Sequence, residues 1–109
     1  MGDKLYIVVR CDISPGRQMA QACHGMRQFC EEHPALDKEW FANSNYIVVL
    51  SAKDETHLFK TMEKAIQENV SFSAFREPDL DDTVTAVVLG PSAGSAKICK
   101  RLPLAFSAV

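Results

Sequence analysis

A strand-length apolar run near the start of the chain restricts its fold more than any other feature. Leu5-Tyr6-Ile7-Val8-Val9 shows no alternation of polar and apolar residues and is rich in β-branched and aromatic side chains. Such a run predicts a strand buried on both faces, which needs a sheet covered by helices on each side. Asn45-Tyr46-Ile47-Val48-Val49-Leu50 repeats this character. In a chain of 109 residues, the pattern favours a single α/β domain over residues 1–109.

Helical and strand patterns alternate along the rest of the chain. The predicted elements after the first strand are a helix between the Ser14-Pro15-Gly16 turn and Pro34, a shorter helix from Leu36 to Ser44, a strand at 45–50, a helix from Lys53 to about Asn69, strands at 72–75 and 83–89, and a last helix from about Ser95 to Leu102. The order β-α-(α)-β-α-β-β-α predicts an α/β/α sandwich with a four-stranded mixed sheet. A short polar segment joins the last two strands, which are therefore expected to pair antiparallel.

The apolar periodicity also predicts which helix faces are buried. For the first helix the predicted buried stripe is Met19, Ala22, Cys23, Met26, Phe29, Cys30 and His33, and for the third helix it is Leu58, Met62, Ala65 and Ile66. Trp40 and Phe41 are expected to pack the short second helix against the domain. His57 is expected to be an exposed residue without a partner.

Charge and cysteine content narrow the class of protein. The net charge of −2 makes nucleic-acid binding less expected, although an acidic total can contain a local basic patch. The chain shows no apolar run of signal-peptide or membrane-spanning length. We therefore expect a cytoplasmic protein without a membrane segment, in which the four cysteines are reduced thiols.

Polar side chains are predicted along one line of the first helix. Arg17, Gln21, His24 and Gln28 stand at i, i+4, i+7 and i+11, opposite the predicted apolar stripe. A cation, an amide and an imidazole near free backbone N–H groups suit a phosphate or a polarised carbonyl. The alternative is an ordinary solvated helix face.

Two further clusters allow a functional and a structural interpretation. Cys23 with His24, or Cys30 with His33, lacks the ligand spacing of a structural zinc site, so no metal is predicted. Arg76 and Glu77 follow the third strand, where a carboxylate near Arg17 or His24 could act as a general base. An exposed Arg–Glu pair is the alternative.

The motifs together resemble those of the peptidyl-tRNA hydrolase type 2 family. A strand ending in Arg10 and Asp12 is followed by Gly16-Arg17 and Ala20-Gln21-Ala22-Cys23-His24, as the family has an Arg/Asp strand end and then Gly-Lys, Ala-Gln and His on its first helix. Thr85-Ala86-Val87-Val88-Leu89-Gly90-Pro91 is similar to the family's Thr-Val-Leu-Ala-Ile-Gly-Pro. The resemblance spans nearly the whole chain.

The resemblance implies a four-stranded mixed sheet between helical layers, commonly in a homodimer. It also implies hydrolysis of the ester that joins a peptide to tRNA, without metal or cofactor. Arg17 takes the position of the family's Lys, and Gln21 and His24 match outright. Gly16, Gln21, Thr85 and the strand-end pair Arg10 and Asp12 are then expected to bind substrate or to shape the site.

The chain departs from the family at one signature. Where the family has Asp-Ala-Gly-Arg-Thr, this sequence reads Ser73-Ala74-Phe75-Arg76-Glu77. Glu77 or Asp79 could replace the lost carboxylate, with Glu77 activating or orienting water and Arg76 and Asp79 binding substrate. Arg17 would stabilise the ester oxyanion and His24 would position the tRNA end or the water. Unlike Lys, Arg17 cannot titrate, so binding survives this replacement better than proton transfer does.

Two other functions remain open on the same fold. One is a binding module that grips tRNA or another nucleotide without cleaving it. The other is a regulatory or protein-interaction domain that uses the sheet only as a scaffold.

Overall fold

A computed structural model describes residues 3–107, and they form one α/β domain. Its elements are β1 (Lys4–Arg10), α1 (Pro15–Glu32), α2 (Pro34–Asn43), β2 (Tyr46–Ala52), α3 (Glu55–Gln67), β3 (Phe72–Glu77), a 3₁₀ turn (Pro78–Leu80), β4 (Thr83–Leu89) and α4 (Ala93–Cys99). This is the predicted order. The last helix begins and ends earlier than the sequence indicated. It begins earlier because Ser92 caps it by accepting the backbone N–H of Ser95 at 3.1 Å.

The four strands form one mixed sheet in the order β2-β1-β4-β3. β1 is parallel to β2 and antiparallel to β4, and β3 pairs antiparallel with β4 as expected. The pairing of β3 with β4 passes from Phe75↔Ala86 to Arg76↔Val84, so Thr85 is an additional residue in β4. This β-bulge lies next to the site described below.

Helices cover both faces of the sheet. On one face α1 and α2 bury Phe29 and Trp40 against Leu5, Ile7 and Val88. On the other face, α3 and α4 cover the larger core cluster. Its buried residues come from these two helices and from every strand except β3: Val8, Leu50, Ala52, Leu58, Ala65, Val84, Val87, Leu89 and Cys99. The central strands β1 and β4 are therefore buried from both sides, as their apolar sequences predict.

The segment after α4 returns to the free edge of β2. Ser51 N–H donates to the carbonyl of Pro103 at 2.9 Å, and Ala105 N–H donates to the carbonyl of Val49 at 2.9 Å. Leu104 thereby pairs antiparallel with Leu50. This tail covers the second half of the β2 edge.

The buried stripe of α1 differs from the predicted one. The buried residues are Gln18, Gln21, Ala22, Gly25 and Phe29, whereas Met19 is 62% exposed and Cys23 is also exposed. The prediction is confirmed for Ala22 and Phe29 and was wrong for Met19 and Cys23, because it ranked side chains by hydrophobicity. At Gly25 the helix lies so close to the sheet that an added Cβ would be 3.1 Å from the Ala86 Cβ. This approach turns small residues and two amides, rather than the longer apolar side chains, towards the strands.

Three smaller predictions also need correction. Trp40 is buried, but its neighbour Phe41 points outward, and Ile66 of α3 is 67% exposed because the sheet is covered by the face that carries Leu58 and Ala65. His57 is half-buried, and its Nδ1 accepts the backbone N–H of Lys53 at 3.0 Å.

The end of α3 agrees with the sequence. Asn69 adopts the left-handed conformation (φ 55°), and the backbone N–H of Val70 then donates to the carbonyl of Ala65.

Candidate active site

Most of the predicted site residues lie at one edge of the sheet. β1 and β3 end there, at Arg10 and Glu77, and the antiparallel strand β4 begins there at Thr83. The first turns of α1 project over this edge. The chain turns back after each strand. Side chains, rather than the backbone hydrogen bonds of the sheet, therefore occupy the space beyond the strand ends.

A chain of hydrogen bonds, buried at its Thr85 end and half-buried at Glu77, joins three elements at this edge. The Thr85 hydroxyl donates to Oε1 of Gln21 at 2.6 Å, and Nε2 of Gln21 donates to Oε1 of Glu77 at 2.7 Å. Thr85 is 0% exposed and Gln21 is 4% exposed. The bulge explains how Thr85 takes part. Ala86 contacts α1, so regular alternation would turn Thr85 towards α3, but the additional residue turns it towards α1 instead.

Gln21 therefore does not belong to an exposed polar line. Arg17 and His24 are exposed as predicted, but Gln21 is buried in the chain above. Gln28 is half-buried, and its amide donates to the carbonyl of Ala74 on β3 at 3.2 Å. Both amides bind strands, which is why a helix face that looks polar in sequence lies against the sheet.

Glu77 is held as a carboxylate. Besides Gln21, it accepts the backbone N–H of Asp79 through Oε2 at 3.2 Å, which caps the 3₁₀ turn. The hydrogen bond from Gln21 lowers the pKa of Glu77 most, followed by the backbone N–H, with smaller contributions from the charges of His24 and Arg17. These bonds favour the ionised form, so Glu77 is negative at neutral pH.

His24 and Arg17 stand on the exposed side of Glu77. The His24 imidazole stacks on the Phe75 ring with centroids 4.8 Å apart and planes 15° apart. This contact fixes the ring plane and leaves the ring nitrogens free to meet a ligand. Within residues 3–107, the Arg17 guanidinium makes no side-chain hydrogen bond or ion pair, so its donors are available as well.

Arg10 and Asp12 form a bidentate ion pair beside these groups. Nε of Arg10 donates to Oδ1 of Asp12 at 2.6 Å, and Nη2 donates to Oδ2 at 2.8 Å. Nη1 also donates to the Thr83 hydroxyl at 3.2 Å. The hydrogen bonds lower the pKa of Asp12 and raise that of Arg10. The donors of Arg10 are thus largely used in joining the end of β1 to the start of β4.

The three remaining predicted residues add no side-chain contact to the Thr85–Gln21–Glu77 chain. Arg76 is exposed and donates to the carbonyl of Asp82 at 3.2 Å. Asp79 is exposed, and it is its backbone N–H, not its carboxylate, that contacts Glu77. Gly16 lies in the first turn of α1 with open space around its Cα.

The sequence analysis missed two residues that build this edge. The buried Gln18 donates to the carbonyl of Ile13 at 2.7 Å and so holds the loop between β1 and α1. Glu55 accepts the backbone N–H of Val84 at 2.8 Å, where β4 extends beyond its partner β1. The sequence signal that could have indicated Gln18 is its position on the first helix, one turn before Gln21. No local pattern indicates the second, since its partner is 29 residues away.

The described residues contain no group of three or more His, Cys, Asp or Glu side chains placed to hold a metal ion. The four cysteines are free thiols, of which Cys99 is buried, and burial raises its pKa to about 12. No helix within residues 3–107 combines the length and apolar character needed to cross a membrane.

Comparison with known proteins identifies the family. The model of the peptidyl-tRNA hydrolase PTH2 family matches residues 3–105, which is nearly the whole chain. The chain belongs to the PTH2 family. Membership of this family implies a peptidyl-tRNA hydrolase-like function.

A solved structure supports the fold of this PTH2 domain. A protein of unknown function from Agrobacterium tumefaciens strain C58 is similar with a TM-score of 0.70 and 16% identity, over 95% of this chain and 98% of that one. At this identity the likeness concerns the fold alone. No curated protein matches the chain.

Proposed function

We propose that this PTH2 protein hydrolyses the ester between a peptide and tRNA. The observation that supports the proposal best is the convergence of Arg17, His24 and the Thr85–Gln21–Glu77 chain at one sheet edge. Water attacks the ester carbonyl and the bond to the ribose oxygen breaks; one water proton ends on the ribose oxygen and the other is released to solvent, so the products are a free tRNA hydroxyl and a peptide carboxylate. The substrate implies a cytoplasmic protein, and the family resemblance implies a homodimer.

Each exposed group has a role in this reaction. Arg17 donates to the carbonyl oxygen as negative charge develops on it. His24, with its ring plane set by Phe75, positions the terminal ribose or the attacking water. Glu77 accepts a hydrogen bond from that water. Its lowered pKa favours orienting the water over removing its proton, because a carboxylate with a lower pKa is a weaker base.

Gln21 and Thr85 act through Glu77 as positioning residues. Thr85 fixes the amide of Gln21, which in turn points its N–H at Glu77. Arg10, Asp12 and Gly16 shape the adjacent backbone, and Arg76 and Asp79 lie at the rim where the RNA would approach. All of these assignments are parts of the same proposal.

The test is hydrolysis of a labelled N-acyl-aminoacyl-tRNA by the purified protein. Arg17→Ala should abolish release, which also controls for a contaminating hydrolase. Arg17→Lys keeps the positive charge and supplies the family's own residue, so it should retain turnover. Glu77→Gln should lower kcat, and unchanged hydrolysis by this variant would rule out the role given to Glu77.

A second candidate function is RNA binding without turnover. It is favoured by one observation, namely that both oxygens of Glu77 already accept hydrogen bonds within the protein. In that case the protein would bind tRNA with a steep dependence on salt but release no peptide. Absence of both hydrolysis and tRNA binding would leave a regulatory or protein-interaction domain.

A further inference from the structure

A groove lined by lysines runs between α3 and α4, on the side of the sheet opposite α1. It has a volume of about 330 Å³, its rim carries Lys53, Lys60 and Lys64, and half-buried Ile98 and Leu102 line its apolar part. At 1.5 Å per residue, the helical part of the segment with these lysines, from Glu55 to Lys64, extends about 14 Å. We call this surface the lysine groove.

A neighbouring depression extends the same surface. It has a volume of about 250 Å³, shares Lys64 and Ile98 with the lysine groove, and adds Lys97. The four lysines therefore follow one continuous path over the α3–α4 face.

No ion pair within residues 3–107 involves a lysine of this path. The two ion pairs within residues 3–107 are Arg10–Asp12 and Arg27–Glu31, so none of the groove lysines is paired. The acidic lining residues are Asp54 and, in the neighbouring depression, Glu68. Asp54 already accepts the backbone N–H of His57 at 2.9 Å as the cap of α3. A local cationic surface thus exists in a chain whose net charge is −2.

The lysine groove begins at the sheet edge that carries the candidate active site. Lys53 directly follows Ala52, the residue of β2 that lies opposite Arg10 of β1. The backbone N–H of Cys11 donates to the carbonyl of Ala52 at 2.8 Å. A polyanion with one end at Arg17 could therefore cross this edge and continue along α3.

We propose that the lysine groove binds the phosphate backbone of the tRNA, away from its acylated end. The choice of tRNA rests on the proposed function. Lysine ammonium groups on flexible stems contact phosphates without reading bases, so the groove suits an RNA backbone of any nucleotide sequence. The groove supplies affinity, and the residues around Glu77 supply the chemistry.

The experiment compares two double variants that change the net charge equally. Lys60→Gln with Lys64→Gln removes two charges from the groove, and Lys4→Gln with Lys38→Gln removes two exposed lysines from β1 and α2. The Kd for deacylated tRNA is measured by fluorescence anisotropy over a salt series. Each lost phosphate contact lowers the slope of log Kd against log salt by about 1. The slope for the groove variant should therefore be about 2 below the wild-type slope. The control should keep the wild-type slope, and thermal unfolding of both variants confirms that they fold.

A short ester substrate separates this proposal from the proposed function. An N-acyl-aminoacyl-adenosine contains the scissile bond but no RNA long enough to reach α3, so both variants should hydrolyse it as the wild type does. A reduced salt slope without any hydrolysis would support the groove and refute the hydrolase. The proposed role of the lysine groove would be refuted if the groove variant kept the wild-type salt slope. It would also be refuted if the two double variants lowered the slope equally. Binding of inorganic phosphate to these lysines without tRNA binding would refute it too.

Discussion

At the scale of single residues, the Thr85 hydroxyl is the most exacting contact of the site. It is fully buried, and its acceptor Oε1 of Gln21 has no access to water that could replace it. Thr85→Val keeps the size of the side chain but leaves this acceptor unpaired. We expect the free energy of unfolding in urea to fall by about 1–3 kcal/mol, and turnover to fall as Gln21 loses its orientation.

Thr61→Val is the matched control for this substitution. Thr61 is also buried, but its hydroxyl donates at 3.1 Å to the carbonyl of His57, which keeps its α-helical partner when the hydroxyl is removed. Thr61→Val should therefore lower the free energy of unfolding less than Thr85→Val does. An equal loss in the two variants would show that Thr85 contributes no more than an ordinary buried hydroxyl.

The pKa of Glu77 gives a second prediction at this scale. Because the folded-state pKa lies below the ordinary value of 4.5, ionised Glu77 stabilises the folded protein above that pH, and the stabilisation is lost as the pH falls through the folded-state pKa. Glu77→Gln removes this dependence. The difference in unfolding free energy between the wild type and the variant should therefore shrink between neutral pH and acid pH. A difference that does not vary with pH would contradict the lowered pKa.

At the scale of elements, the contact between α1 and β4 depends on Gly25. An added Cβ would lie 3.1 Å from both the Ala86 Cβ and the Val88 Cγ2, and the Ala86 Cβ cannot move without shifting β4. Gly25→Ala gains about 1 kcal/mol of helix propensity, but the overpacking costs about 1–3 kcal/mol. We expect a lower melting temperature and weaker activity, because the shift displaces Gln21 one turn away.

Gly16→Ala tests the gain in helix propensity without the overpacking. No atom lies within 4 Å of the added Cβ in the first turn of the same helix. The melting temperature should stay unchanged or rise. If both substitutions raised it, the close approach at Gly25 would not be limiting.

The comparison of sequence with structure is clearest for α1. The strands, their order and the helical layers follow from apolar runs and periodicity, which are local properties. The buried face of α1 does not follow from local properties, because Gln21 is buried by two partners that lie 56 and 64 residues away in the sequence. The bulge at Thr85 has no sequence signal either, since an additional strand residue is recognised only against its partner strand. The motifs predicted that these side chains gather at one sheet edge, but not the hydrogen bonds between them.

At the scale of the whole molecule, the β2 edge is the surface best suited to the expected homodimer. The tail covers its second half, while the outer side of Tyr46–Val48, away from β1, has no strand partner within residues 3–107. Large exposed apolar side chains surround this edge, on α2, β2 and the tail: Phe41, Tyr46, Ile47, Leu104 and Phe106. A second copy would bury them.

Ile47→Glu tests this surface. It should convert the dimer into a monomer in analytical ultracentrifugation, because the interface would have to bury an unpaired charge. Ile66→Glu, at an equally apolar and more exposed position on α3, should leave the dimer intact. A wild-type protein that sediments as a monomer would contradict the prediction.

The strand order also has a consequence for synthesis of this protein. β4 lies between β1 and β3, although it is the last strand to leave the ribosome. Until Leu89 has emerged, β1 can pair only with β2, and its other edge remains open to other chains. A nascent chain that stops before Thr83 therefore cannot form the sheet, and premature termination should yield aggregation-prone fragments rather than a smaller folded domain.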